Sequence, residues 1–477
     1  MADSQPAHLK RQIGLYAATA ITVGNIIGSG IFRSPHSVAS ELTTFPLVLT
    51  AWIVGGLLSI CGSLVLAELA VTHPKTGGLY VFLRESFGDA FAFVFGWANL
   101  WVIKPTVVAS ITSVFALYFC QVMGWKDDTQ FAVGAAAILF LTFVNWLGVK
   151  EGTRTQSLLT TLKVIGILGL CVAAFTLPAT HPASALADGA VAETTTKPLM
   201  TAFFVAMVSI LFAYDGWTDS TYVAGEVVNP QHTMPIAIVW GTWAVIGVYV
   251  LTNFAYFHVL GAEGVRSYEA VGSETIHRLL GDWGARALAV LVAVSTFGTT
   301  NGSILTGPRV TQAMAADGLL WKPMAALDPK RETPSLALWV QALLSIVWLK
   351  VAGGFDDVSG WFVTTSWMFY GLTTAAIFVQ RAREKRGELA APSYRTPGFP
   401  VTPILFIVTT VAIIYADFTS STPLEFDGVT GPLASVLALV PRAGLGVLIA
   451  LLGFPVYALW KGRSGGSAGS TGSRKSA

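Results

Sequence analysis

Charge is scarce in this sequence. Only 12% of the 477 residues are Asp, Glu, Lys or Arg, where a typical soluble domain carries about 25%. Apolar residues make up 53% and the mean hydropathy is +0.63. Such a chain cannot clothe a water-soluble surface, so its hydrophobic residues face lipid as well as one another. Cysteine is nearly absent: Cys61, Cys120 and Cys171 lie in or at the ends of apolar runs, with no CxxC pair or His cluster beside them. That argues against a disulfide framework and a metal site, and no cofactor is expected. The net charge of +2 is spread through loops and makes no stripe that could follow a phosphate backbone, so nucleic acid is not an expected partner. The histidines form no HExxH or similar pattern, and an enzyme is not expected. Strand-like alternation does not recur either, which argues against a barrel.

What the sequence has in abundance is long apolar runs. Bounded by charges, they place spans at roughly 13–39, 46–71, 90–122, 131–149, 157–177, 199–223, 235–260, 285–312, 335–352, 359–380, 401–418 and 441–460. The expectation is an all-α membrane protein of about twelve transmembrane helices. The first run is too long for a signal peptide and lacks a small-residue cleavage site, so it reads as a retained span. Lys and Arg set the orientation, because positive loops stay cytoplasmic. With the N-terminus inside, the inner side collects Lys10, Arg11, Lys75, Arg84, Lys150, Arg154, Lys322, Lys330, Arg331, Arg381, Arg383, Lys385, Arg386, Arg395, Lys461, Arg463, Arg474 and Lys475. The outer loops keep mainly Lys126, Lys197, Arg266 and Arg278, and gather acids such as Asp127, Asp128, Asp356, Asp357, Glu425 and Asp427. A multi-pass protein of the cell (inner or plasma) membrane with both termini cytoplasmic is therefore expected. Residues 1–12 form a polar N-terminus, 13–380 a core of ten spans, 381–460 the last two helices, and 461–477 a cytoplasmic tail whose Gly/Ser-rich part reads as disordered. The outer connections 178–198 and 261–284 have room for extra structure, and the second predicts a short helix from Ser273 to Leu280 acting as a lid.

Two spans carry features that a plain membrane anchor does not need. The first reads Gly24-Asn25-Ile26-Ile27-Gly28-Ser29-Gly30-Ile31-Phe32 near its middle. Each glycine weakens a helix by roughly 1 kcal/mol relative to Ala. An unwound segment at bilayer depth is tolerated where it lines a cavity. Such a break presents free N–H groups suited to an anion and free carbonyls suited to a cation. Small residues also serve tight helix packing, and the glycines alone do not decide between the two. The sixth span decides it: Phe212-Ala213-Tyr214-Asp215-Gly216-Trp217-Thr218-Asp219 sets acids, a glycine and aromatics inside the membrane. Interruptions at corresponding positions of two five-span halves mark an inverted-repeat transporter with its site at the midplane.

These motifs carry a resemblance. Gly28-Ser29-Gly30-Ile31-Phe32 and Pro74-Lys75-Thr76-Gly77-Gly78-Leu79-Tyr80 resemble signatures of the amino acid–polyamine–organocation (APC) superfamily. Phe212 to Trp217, Gly225-Glu226-Val227-Val228-Asn229-Pro230 with Met234-Pro235, and Phe297-Gly298-Thr299-Thr300-Asn301-Gly302-Ser303 resemble its L-type amino acid transporter (LAT) branch, as in bacterial members. The resemblance implies a LeuT-like five-plus-five inverted repeat with discontinuous helices 1 and 6, spans 11 and 12 outside the repeat, and alternating access. It implies that Gly28, Ser29 and Gly30 hold the carboxylate of a small L-amino acid. Carbonyls near Ile26, Phe212, Ala213 and Asp215 would hold the ammonium, with Ile27, Tyr214 and Gly216 in the same two broken stretches. Phe212 would be an aromatic gate, and Trp367 in span 10 falls near a lining aromatic. Eukaryotic relatives join a heavy subunit through a cysteine in the loop after span 3. Here Cys120 precedes that loop, and Gly124 to Gln130 has none, so no disulfide-linked heavy subunit is expected.

Lys163 lies some seven residues into the fifth span. A lysine in a span costs about 2.5–3.5 kcal/mol on insertion scales and should find partners or snorkel to the surface. In sodium-independent members of the branch, a lysine here resembles a fixed stand-in for a sodium ion. Asp215 is the other costly charge. It suits a cationic side chain, the substrate ammonium, a pathway proton or the cap of the broken helix. Lys104-Pro105 reads equally as a substrate contact or as a kink with a paired lysine. Arg33, Arg309 and Glu68 fall near span ends, where snorkelling or surface pairing is the default. Trp125, Trp283, Trp321 and Trp361 read as interfacial anchors. The function expected is sodium-independent amino acid exchange, with a proton-coupled amino acid or polyamine symporter as the alternative.

Overall fold

A computed structural model describes residues 10–180, 198–351, 355–420 and 444–468. Lys197 with the outer connection 181–197, Glu425, Asp427, residues 441–443 at the start of span 12, and Arg474 and Lys475 in the tail lie outside the described residues. So do the side chains of Asp356, Asp357, Trp361 and Arg463.

Ten described helices are long and apolar enough to cross a membrane, and Leu199–Ala213 and Ser335–Val351 are shorter apolar helices at the places of spans 6 and 9. The first span is two helices, Leu15–Ile26 and Gly30–Glu41. The sixth stops at Ala213 and resumes as a short turn, Asp219–Tyr222. The last described helix, Gly453–Ala468, runs into the stretch expected to be tail.

Several irregularities follow from single residues. Pro105 has no N–H to give the carbonyl one turn back. Span 3 answers with a π-helical turn over Asn99–Ile103, and the Trp101 carbonyl accepts instead from Trp348 Nε1 at 2.9 Å. The expected outer helix is present as the arm that starts at Val271 and turns at Gly281 before span 8 continues to Ala316. One helix had no counterpart in the sequence reading: Leu79–Phe87, between spans 2 and 3, whose Leu79 to Leu83 are buried.

Polar contacts tie several residues of the loops expected on the inner side to other parts of the bundle. Tyr80 donates to Asp317 at 3.0 Å, and Arg84 pairs with the same carboxylate at 2.6 Å. Lys10 pairs with Glu332. The N–H groups of Gln12 and Ile13 donate to the Glu226 carbonyl at 2.8 and 2.9 Å, strapping the N-terminal segment to the chain after span 6. Glu68 and Arg309 do not snorkel. Arg381 grips Glu68 with two hydrogen bonds of 2.9 and 2.8 Å, and Arg309 meets Glu226 at 3.1 Å with both side chains fully buried. The reason is helix length: span 8 continues past Arg309 to Ala316, so the guanidinium stays inside the bundle.

Removing one partner of a buried ion pair costs about 3–5 kcal/mol, whereas removing both is often nearly neutral. Arg309→Met is therefore expected to lower the thermal stability of the detergent-solubilised protein, and adding Glu226→Leu to recover most of the loss. Equal stability of Arg309→Met and the parent would contradict this.

Candidate functional site

The two breaks meet. Gly216 has φ 118°, a conformation that favours glycine, and a Cβ there would lie 2.6 Å from the Asn25 carbonyl carbon. A Cβ on Gly30 would lie 2.5 Å from Ala213 Cα. Two backbones can approach this closely only where one side has no side chain.

Each broken end of span 1 is then handled separately. On the carbonyl side, Lys163 is fully buried and its ammonium donates to Gly24 O at 2.9 Å, Ile27 O at 2.6 Å and Thr299 Oγ1 at 2.9 Å. An ammonium has three donors, and all three are used. Thr299 lies 3.0 and 2.9 Å from the same two carbonyls, Ser295 donates to Gly28 O at 3.2 Å, and the Tyr249 hydroxyl lies 2.9 and 3.0 Å from the carbonyls of Ile26 and Ala213. On the N–H side the situation is the reverse. Among the described residues no acceptor is found for the N–H groups of Gly28 and Ser29, and Ser29 Oγ is buried without a partner. Donors gathered at the start of a helix with nothing to bind are what a carboxylate needs.

A cavity of about 410 Å³, part of it open to solvent, lies against this turn. Ile26, Gly28, Ser29, Gly30, Phe212, Asp215 and Gly216 line it together with Asn25, Lys104, Asp219 and Thr299. Ile27, Ala213 and Tyr214 do not line it; Ile27 and Ala213 are tied to its edge by the contacts above. Tyr214 itself is buried between Trp52 and Tyr249. Trp367 does not line the cavity: its ring stacks on Phe406, 5.5 Å between centroids, and abuts Tyr370. Phe362, earlier on the same helix, supplies the aromatic wall and meets Phe212 edge to face at 6.3 Å.

Two carboxylates face the cavity in different environments. Asp215 accepts a 2.7 Å hydrogen bond from the Tyr370 hydroxyl. Asp219 is committed: Lys104 reaches Oδ1 at 2.6 Å, while Asn25 Nδ2 and Thr306 Oγ1 donate to Oδ2 at 2.6 and 3.2 Å. Lys104 is thus a paired lysine at the start of a kinked helix. Asn25 and Asp219 stood inside the stretches that drew attention in the sequence, but nothing in their spacing says that residues 194 positions apart touch. Among the described residues no cluster of three or more His, Cys, Asp or Glu is placed to hold a metal.

Known proteins resemble this chain over most of its length. The amino acid permease family model matches residues 13–440. A serine/threonine exchanger, SteT, of Bacillus subtilis (strain 168) is 31% identical over 452 residues, 94% of this chain and 96% of its own. The human b(0,+)-type amino acid transporter 1 is 32% identical over 441 residues, 89% of this chain and 86% of its own. The mouse large neutral amino acids transporter small subunit 2 is 33% identical over 410 residues, 83% and 75% of the two chains. All three are transporters. The fold is accordingly the five-plus-five inverted repeat with spans 1 and 6 discontinuous, and the chain is a multi-pass membrane transporter of amino acids that belongs to the amino acid permease family.

Proposed function

We propose that this protein exchanges small neutral L-amino acids without sodium, by alternating access around the cavity between spans 1 and 6. The substrate carboxylate takes the N–H groups of Gly28, Ser29 and Gly30. The ammonium takes the carbonyls of Ile26, Phe212, Ala213 and Asp215. Phe212 closes over the substrate against Phe362. The observation that carries the sodium-independent reading is Lys163, whose three hydrogen bonds to Gly24 O, Ile27 O and Thr299 Oγ1 occupy the place a cation would take among these oxygens. A tethered ammonium cannot leave with the substrate, so this site couples no sodium gradient to the cycle, which suits exchange. The reading extends to a single chain in the cell membrane, both termini cytoplasmic, with no disulfide-linked heavy subunit. Supporting that last point, Cys120 is buried within span 3 beside Thr129.

Proteoliposomes test it. Uptake of radiolabelled L-serine is expected to be stimulated about tenfold or more by internal amino acid and to be indifferent to sodium, because return of the empty carrier is the slow step in an exchanger. Stimulation by external sodium contradicts the proposal. Asp215 favours one other reading: a carboxylate on the cavity wall, held by Tyr370, is suited to carry a proton. Uptake into empty vesicles driven by a pH gradient would mark a symporter instead.

A further inference from the structure

We propose that Asn25 is a positioning residue, whose amide joins the Lys104–Asp219 ion pair to the turn that binds the substrate and sets the direction of its N–H groups. The proposal rests on that turn taking the substrate carboxylate.

Both ends of the Asn25 amide are in use. Nδ2 donates to Asp219 Oδ2 at 2.6 Å, and Oδ1 accepts from Gln156 Nε2 at 3.2 Å. Gln156 in turn accepts from Asn301 Nδ2 at 3.0 Å, and Asn301 accepts from Asn145 Nδ2 at 2.8 Å. Four buried amides, on spans 4, 8, 5 and 1, therefore donate in one direction and end on one carboxylate. The direction is imposed from that end. An ionised carboxylate only accepts, so Asn25 must present its NH₂, which leaves its oxygen for Gln156, and so on up the row. Bonds in such a row polarise one another. The carboxylate is neutralised from its other side by Lys104 at 2.6 Å.

The position of Asn25 turns this row into a constraint on binding. It sits on the last turn of the helix Leu15–Ile26, three residues before Gly28, where the backbone leaves the helix at Ile27 with ψ 90°. Asp219 opens the resumed helix of span 6 and Gln156 belongs to span 5. The amide thus fixes the last turn of span 1 against two other helices, directly before the unpaired N–H groups. Two glycines make room for it: a Cβ on Gly302 would collide with Asn25 Oδ1, and one on Gly216 with the Asn25 backbone. With its polar atoms committed, Asn25 acts on the substrate through the turn.

The test is a swap. Asn25→Asp keeps the shape but sets two carboxylates against each other, and is expected to raise the KM for L-serine about tenfold or more, with maximal rate per transporter much less affected. Adding Asp219→Asn restores one amide and one carboxylate to the same contact and is expected to bring KM back to within about threefold of the parent. A purely structural role would instead lower the amount of protein in the membrane and leave KM alone. Parental KM in Asn25→Asp, or a swapped protein no better than Asn25→Asp at equal abundance, overturns the proposal. If Asn25→Asp does not accumulate, a cycle of Asn25→Ala and Asp219→Asn decides: KM losses that do not add support it, and losses that add fully overturn it. The underlying reading is checked separately in the parent protein by competition between L-serine and L-serine methyl ester. Equal potency would remove the carboxylate site and leave the swap result interpretable by itself.

Discussion

Lys163→Ala is expected to reduce amino acid exchange by about 30- to 150-fold, corresponding to about 2–3 kcal/mol, with the protein still present in the membrane. Three acceptors lose their donor at once. The carbonyls of Gly24 and Ile27 belong to the end of a helix that already stops at Ile26, so nothing in the helix takes over the ammonium. Thr299 remains within 3.0 Å of both but has one proton to share between them. The unwound turn then loses the group that defines where its carbonyls, and therefore its N–H groups, point. Uptake into vesicles preloaded with L-serine, normalised to transporter amount, measures the effect. Exchange at the parental rate in Lys163→Ala would remove the main support for a sodium-independent cycle.

Lys104→Met should be the second severe change. It leaves the Asp219 carboxyl 4% exposed and without its cation, and removing one partner of a buried pair costs about 3–5 kcal/mol. At roughly 1 kcal/mol per kelvin of unfolding entropy for a chain this long, the apparent Tm should fall by about 3–5 °C. Transport should suffer as well, since both partners line the cavity. Lys104→Met with Asp219→Asn is expected to recover most of the stability, because the unpaired charge is gone and Asn25 keeps a partner. Thermal unfolding of detergent-solubilised protein measures both. A Lys104→Met protein as stable as the parent would mean that the Lys104–Asp219 contact is not a pair in the sense used here.

The membrane fold was legible because burial on all sides leaves long apolar runs, and because glycine and aspartate inside such a run have a high cost that a cavity explains. Even the short helix ahead of span 8 was legible. Rotation of a helix about its own axis was not. Span 10 scatters Thr364, Thr365, Ser366, Thr373 and Thr374 among its aromatics, and that pattern does not distinguish Phe362, which faces the cavity, from Trp367, which stacks on Phe406. Contacts between distant segments were also hidden: Asn25 with Asp219, Arg309 with Glu226 and Glu68 with Arg381 each join separate helices, and reading Arg309 and Glu68 by their distance from a span end put them at the surface. The helix Leu79–Phe87 was missed for a different reason. Its five consecutive buried residues are too short a run to register as a span, and the stretch Pro74 to Tyr80 was read as a family signature and not as the start of a helix.

The central claim is that the cavity between the broken helices is where the amino acid binds, and one measurement addresses it most directly. Ser303, on the cavity wall in span 8, is close in size to cysteine. In a Ser303→Cys protein with Cys61, Cys120 and Cys171 replaced by alanine and exchange retained, a small thiol reagent is expected to react about tenfold or more slowly in saturating L-serine than in its absence, since a substrate in contact with the cavity wall shields the thiol. A modification rate unchanged by saturating amino acid would place the substrate elsewhere and contradict the account.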